Sequence, residues 1–206
     1  MDNDSFRRGK PSTHKKYGEA TAVLAGNSLL TLAFEIISNK DYKIKSEIKN
    51  DLVKSLAFCS GHSGIAGGQE LDLKFENKKK NFNQILGMQK KKTGKLFGFC
   101  LYAVGALSKK NDIEKKQLSK LGEEIGLLFQ LADDFLDIKG IRATVGKPIK
   151  KDVKKGKSTL INLMGYKKAY EYAEYLKKNI LLKLKKHGKK AKDLSDTIEF
   201  ILGRNF

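Results

Sequence analysis

The sequence predicts an all-α fold, and three observations carry that expectation. Proline, which interrupts helices, occurs only twice in 206 residues, at Pro11 and Pro148, each time after Gly-Lys in a stretch that reads as a loop. Apolar residues recur at intervals of three and four over long stretches, the spacing that lines one face of a helix. No apolar/polar alternation bounded by turn residues competes for a strand. The first helix is expected over residues 19–38, marked by Val23, Leu24, Leu29, Leu30, Phe34 and Ile37. A second follows over 46–59, with Ile48, Leu52, Leu56 and Cys59 on its inner face, and a glycine-rich break occupies 60–68. Further helices are expected over 82–107, 112–138, 158–184 and 193–202, all within one domain spanning 1–206.

Composition narrows the class. A hydrophobic share of 40% is enough for a packed core and excludes wholesale disorder. The formal charge of +19 invites a reading as a basic helical protein that binds nucleic acid or anionic lipid. Only four of the 42 cations are arginine (Arg7, Arg8, Arg142, Arg204), and arginine is the usual reader of guanine edges and bidentate partner of phosphate. The lysine runs at 78–80 and 90–92 and the lysine-rich stretch 183–192 lack interleaved aromatics, so most of them read as solvated surface. Tyr166, Tyr170, Tyr172 and Tyr175, on a lysine-rich helix, read as packing and surface rather than a stacking platform for bases. Cys59 and Cys100 have no C-x-x-C spacing and sit among apolar residues, which predicts two buried free thiols in a reduced cytoplasmic protein. There is no uncharged apolar run of about 18 residues and no signal-peptide pattern, so a soluble, cytoplasmic protein is expected.

The segment 125–138 carries the chemistry. It is apolar nearly all the way round, as buried helices are, yet it holds Asp133, Asp134 and Asp137. An uncompensated carboxylate out of water costs several kcal/mol, so a cation belongs beside these acids. Asp133 and Asp137 are four apart on one helix face, with Gln130 on the same side. Such a face suits a hard divalent ion, and Mg²⁺ held by one or two carboxylates shares its shell with water and phosphate oxygens. Pairing of the three acids with lysines of neighbouring helices would also satisfy them. Just beyond come Lys147, Lys150, Lys151, Lys154, Lys155 and Lys157, ammonium groups suited to the far side of a Mg²⁺-bridged diphosphate. The string Gly156-Lys-Ser-Thr159 is a poor P-loop, because Lys151 stands where that motif needs its first glycine.

Six motifs in order then carry a resemblance: Arg7-Arg-Gly-Lys-Pro11, Gly18-Glu-Ala-Thr-Ala-Val-Leu-Ala-Gly-Asn27, Gly67-Gly-Gln-Glu-Leu-Asp-Leu73, Lys92-Thr-Gly94, Phe129-Gln-Leu-Ala-Asp-Asp-Phe-Leu-Asp137 and Gly156-Lys-Ser-Thr159. Together they resemble the trans-isoprenyl diphosphate synthases of the polyprenyl synthetase family, in particular bacterial short-chain farnesyl and geranylgeranyl diphosphate synthases. The resemblance implies an isoprenoid-synthase-type helical bundle, a homodimer, Mg²⁺, and two substrates, isopentenyl diphosphate and an allylic diphosphate. It makes Asp133, Asp134 and Asp137 the second aspartate-rich, metal-binding motif. Arg7 and Arg8 fall to the two diphosphates, Lys92 and Lys147 to the allylic diphosphate, Thr93 and Gln130 to polar groups beside the reacting carbons, and Lys157 to the same basic wall. The implied reaction is ionisation of the allylic diphosphate followed by alkylation of the isopentenyl double bond, giving a C15 or C20 product.

The departure from the family pattern is at the N-terminus. Met1-Asp-Asn-Asp4 matches only the tail of the first aspartate-rich motif, so Asp2 aligns with its last metal-binding aspartate, and the leading pair has no counterpart. The sequence is therefore expected to lack the N-terminal third of such an enzyme, whether through an internal start, completion by another polypeptide or a non-catalytic role, and to have little activity alone. Of the histidines His14, His62 and His187, none has a ligand partner four residues away, and His14 is expected to face solvent. Asp72 fits either the site or an ordinary ion pair.

Overall fold

The computed structural model describes residues 3–7, 9–139 and 156–203. Asp2, Arg8 and Lys147, with the lysines at 150–155, lie outside the described residues. The chain opens with a two-stranded antiparallel hairpin, β1 (Phe6–Arg7) against β2 (Lys10–Pro11), then a short helix α1 (Thr13–Tyr17). Helices α2 (Glu19–Ser38), α3 (Ser46–Ser60) and α4 (Ile65–Phe75) follow. Next, α5 (Phe82–Gln89) runs through a π-turn, Lys90–Gly94, into α6 (Lys95–Leu107), and α7 (Asp112–Lys139) returns antiparallel to it. After residue 155 come α8 (Leu160–Met164), α9 (Tyr166–Lys185), a 3₁₀ turn Gly188–Ala191 and α10 (Lys192–Gly203).

Helix α7 is the axis of the bundle. Leu121, Ile125, Leu127, Leu128, Leu131, Ala132 and Phe135 are all buried, because α6 and the π-turn cover one side while α9 and α10 cover another. That double coverage explains why the segment is apolar round its circumference. Ile85 and Met88 of α5, Leu160 and Ile161 of α8, Ala169, Ala173 and Ile180 of α9 and Ile198 of α10 complete the core. The tyrosines of α9 pack as expected: Tyr166 and Tyr170 meet Phe135 edge-on at centroid distances of 5.1 and 5.5 Å, Tyr172 meets Phe82 at 5.6 Å, and Tyr175 is exposed.

The seam between α6 and α7 is unusually close, and glycines make it so. A methyl group placed on Gly122 would lie 2.4 Å from the Phe97 carbonyl oxygen, and one on Gly126 would lie 2.8 Å from the Gly94 Cα. Struts fix the register: Lys95 Nζ reaches Glu123 at 2.5 Å, and Tyr102 Oη donates to both Asp51 oxygens at 2.9 Å, tying in α3. Burial and the neighbouring Asp51 carboxylate push the Tyr102 phenol above its ordinary pKa.

The structure departs from the periodicity reading in several places. Residues 60–68 are not all break, since α4 begins at Ile65 and includes Gly67 and Gly68. Those glycines serve close approach rather than termination: a Cβ on Gly68 would lie 2.2 Å from the Lys92 backbone nitrogen. The helix expected over 158–184 is split at Gly165, whose φ of +83° is a conformation that glycine adopts and other residues rarely do. A short hairpin and α1 occupy residues 6–17, and His14 is half-buried instead of solvent-facing, with Nδ1 3.2 Å from Ser12 Oγ. Cys59 is buried, but Cys100 is exposed.

Helix α2 keeps the bounds expected of it, yet buries no residue. Val23, Leu24 and Leu29, which mark its period, are each more than 60% exposed. By length and composition α2 would also suffice to cross a membrane. Gly122→Ala should destabilise the fold by about 1–3 kcal/mol, because the new methyl must push the packed backbones of α6 and α7 away from each other. Urea unfolding of the variant checks this, and a midpoint equal to that of the parent would contradict it.

Candidate functional site

The π-turn is the local structure from which the site is built. One residue more in the hydrogen-bonded loop than an α-helix has shifts the side chains of Lys92 and Thr93 out of register with the rest of α5 and α6. The backbone of α4 touches it at Gly68, where no side chain could fit. This contact places Asp72, one turn along α4, against Lys92. Lys92 Nζ donates to Asp72 Oδ2 at 2.6 Å, and Lys157 Nζ lies 3.8 Å from the same oxygen. Asp72 is 5% exposed, so this carboxylate is a buried counter-ion shared by two ammonium groups.

Helix α7 carries the acids. Asp134, 4% exposed, accepts from Gln130 Nε2 through Oδ1 at 2.8 Å and from Gln89 Nε2 through Oδ2 at 3.0 Å. Gln130 Oε1 in turn accepts from Thr93 Oγ1 at 2.7 Å. One chain of hydrogen bonds therefore links the end of α5, the acidic helix and the π-turn. Asp137 is buried, and Asp133, on the same face four residues before it, is half-buried.

Among the described residues no three acids, histidines or cysteines converge on one point as a closed metal cage. The donor set is all oxygen, from Asp133 and Asp137 at helical spacing, which suits a hard cation held by one or two carboxylates and completed by water and phosphate oxygens. Asp134, held by two amides, fits a supporting place in that arrangement.

Residues 156–159 are a brace. Asn77 donates its backbone N–H to the Gly156 carbonyl at 2.8 Å, and Gly156 has a φ of +64°. Ser158 Oγ bonds the carbonyls of Phe75 and Lys78 at 2.9 Å each, and Asn162 Nδ2 donates to the Lys157 carbonyl at 2.8 Å. The Ser158 hydroxyl thus serves the backbone rather than a phosphate, and the brace delivers Lys157 to Asp72. Thr159 caps α8 by accepting from the Asn162 N–H.

Of the residues singled out from sequence, Thr93, Gln130 and Asp134 share one hydrogen-bonded chain and Lys92 and Lys157 share one carboxylate, the two groups meeting at the adjacent residues Lys92 and Thr93. Asp133 and Asp137 share the α7 face that carries Asp134. Arg7 stands exposed on β1, outside both groups. Asp72, left open by the sequence, is the carboxylate that the two lysines share. Gln89 escapes the sequence reading; its one signal is an amide directly after the apolar stretch 85–88 and three residues before Lys92.

The polyprenyl synthetase family model matches residues 1–198. Over 165 residues, or 80% of the chain, the sequence is 40% identical to the farnesyl diphosphate synthase of Micrococcus luteus, of whose length it spans 56%. Over its whole length it is 38% identical to the farnesyl diphosphate synthase of Escherichia coli, spanning 70% of that protein. Among solved structures, a geranyltransferase from Helicobacter pylori, complexed with magnesium and isoprenyl diphosphate, superposes with a TM-score of 0.83 at 34% identity, covering 98% of this chain and 66% of that one.

Asp72→Asn should cost about 2–4 kcal/mol of stability, because it leaves two partly buried ammonium groups without their shared anion. Thermal and urea unfolding check this, and a loss below about 0.5 kcal/mol, the scale of an exposed pair, would contradict it.

Proposed function

The chain belongs to the polyprenyl synthetase family, and from that premise we propose that it forms the acidic and basic walls of a short-chain trans-prenyltransferase site, which joins an allylic diphosphate to isopentenyl diphosphate. The observation that carries the proposal is the linkage of two unlike surfaces. The α7 face bearing Asp133, Asp134 and Asp137 is tied through Gln130 and Thr93 to the π-turn that carries Lys92, with Lys157 beside it. A polyanion alone would gain nothing from acids on the inner face, whereas a metal-bridged diphosphate uses both walls.

In this reading Asp133 and Asp137, with Asp2, would hold Mg²⁺, and Asp134 would support them. Bound there, Mg²⁺ supplies positive charge to the diphosphate oxygens on which negative charge develops. Lys92, Lys147 and Lys157 hold the departing diphosphate from the other side, and Arg7 and Arg8 hold the diphosphates at the N-terminal edge. The allylic C–O bond breaks with its electron pair going to diphosphate. The allylic carbon then forms a C–C bond to the isopentenyl double bond, and a proton leaves. Most of the rate enhancement comes from fixed charge aimed at the leaving group. Thr93 and Gln130, bonded to each other, line the site beside the reacting carbons. The product is a C15 or C20 prenyl diphosphate. A second copy of the chain covers the exposed apolar face of α2, and the free thiols Cys59 and Cys100 suit a reducing cytoplasm.

A thermal-shift titration tests the reading. Inorganic pyrophosphate near 100 times its dissociation constant should raise the melting temperature by about 5 °C or more, and only with Mg²⁺ present. Stabilisation by DNA or anionic vesicles, lost as salt rises, would support the competing reading as a basic binding protein.

A further inference from the structure

Gln89 is the last residue of α5, and it is 3% exposed at the point where the helix passes into the π-turn. Its Nε2 donates to Asp134 Oδ2 at 3.0 Å, across 45 positions of sequence. The other oxygen of the same carboxylate accepts from Gln130 Nε2 at 2.8 Å, and Gln130 is held in turn by Thr93. Asp134 is therefore gripped at both oxygens by amides from two different helices. The grip fixes its two side-chain torsions and leaves its negative charge in place, because an amide donates a hydrogen bond without neutralising its acceptor. A lysine at position 89 would also donate, but it would cancel the charge that the acidic face needs. Lys92, three residues further on and next to Thr93, turns elsewhere and takes Asp72.

We propose that Gln89 is a positioning residue for the acidic face of α7, acting through Asp134 on the binding of a divalent cation together with diphosphate; this rests on the functional reading above. Two features of the geometry make the effect selective. Gln89 meets the carboxylate side of the site only, since its bond goes to Asp134 and not to either ammonium group on Asp72. It also lies at the far end of the chain that closes on Thr93, so its loss releases Asp134 and slackens the Gln130 to Thr93 bond, leaving the Lys92–Asp72–Lys157 cluster in place. Gln89 should therefore govern the metal requirement and leave metal-independent affinity for the anion nearly unchanged. A residue that merely filled volume in the core would alter stability without separating these two quantities.

The test uses the full chain and three variants, with pyrophosphate as the anion and calorimetric titration as the readout. Gln89→Met keeps the side-chain volume and removes the donor, Gln89→His supplies a ring N–H in its place, and Gln89→Leu serves as a second apolar variant should the Met protein not fold. The half-saturating Mg²⁺ concentration at fixed pyrophosphate should rise roughly 10-fold or more in Gln89→Met, the scale on which outer partners of metal ligands act. Pyrophosphate affinity without Mg²⁺ should stay within about twofold, and Gln89→His should restore most of the Mg²⁺ response. The assignment is overturned if the folded Met or Leu variant keeps the parent's Mg²⁺ midpoint, if Mg²⁺-free binding falls equally, or if the His variant is no better than Met. Failure of the functional reading shows separately, in the parent protein, as pyrophosphate binding that ignores Mg²⁺; that result removes the Gln89 proposal with it.

Discussion

The distance between α6 and α7 is the constraint on which the rest of the structure depends. Ordinary side chains at a helix contact hold the backbones about 8–10 Å apart. Here Gly94, Gly98, Gly122 and Gly126 let the chains meet with almost nothing between them. Only at that spacing can the short Thr93 hydroxyl reach Gln130, and Gln89 reach Asp134. The Gly68 contact does the same for α4 and the π-turn, and so brings Asp72 under Lys92. Backbone proximity, set by residues with no side chain, is thus what positions the polar groups.

Electrostatics decides what such a cluster is for. Burying an ion costs several kcal/mol, and a buried ion pair often only breaks even against a well-packed apolar pair. A fold selected for stability alone would have little reason to place Asp72, Asp134 and Asp137 in its interior, each about 5% exposed or less. Under the proposed function the arrangement gains sense as a site divided by sign: the α7 acids, with Asp134 held by two amides, on one wall, and ammonium groups held in place by one shared carboxylate on the other. Asp72 keeps Lys92 and Lys157 together, at 2.6 and 3.8 Å, an arrangement that under the proposed function preorganises the basic wall for an anion with several negative charges. The exposed lysines elsewhere belong to a different regime, where each pair is worth about 1 kcal/mol or less and screening is strong.

Much of this is legible in the residues, and what is not has physical reasons. The long periodic segments can be read with nearly correct bounds, α2 and α7 among them, because a helix face repeats over many turns. Gly67 and Gly68 read as a break, since one sequence cannot distinguish a glycine that ends a helix from one that lets two backbones touch. Gly165 goes unmarked because the apolar period resumes after it. The π-turn leaves no trace in Lys90-Lys-Lys-Thr-Gly94, whose composition suits an exposed α-helical turn equally well. In the site, Lys92, Thr93, Gln130, Asp134 and Lys157 stand out through their motifs. Asp72 stays open because a single helical acid has the same spacing in either role. Gln89 is invisible for a related reason: its partner is 45 residues away, and only the fold pairs them. The burial expected for Cys100 fails because apolar neighbours in sequence need not be neighbours in the core.

The central claim is that the acidic wall and the lysine wall hold one and the same anion. A double-mutant cycle on Mg²⁺-dependent pyrophosphate affinity, with Asp133→Asn, Lys92→Gln and the two combined, measures this directly by calorimetry. If both walls grip a single metal-bridged diphosphate, each single variant weakens binding about 10-fold or more, and the double variant loses less than the product of the two, with a coupling of about 1 kcal/mol or more. Losses that simply multiply, or a single variant that binds like the parent, would contradict the account.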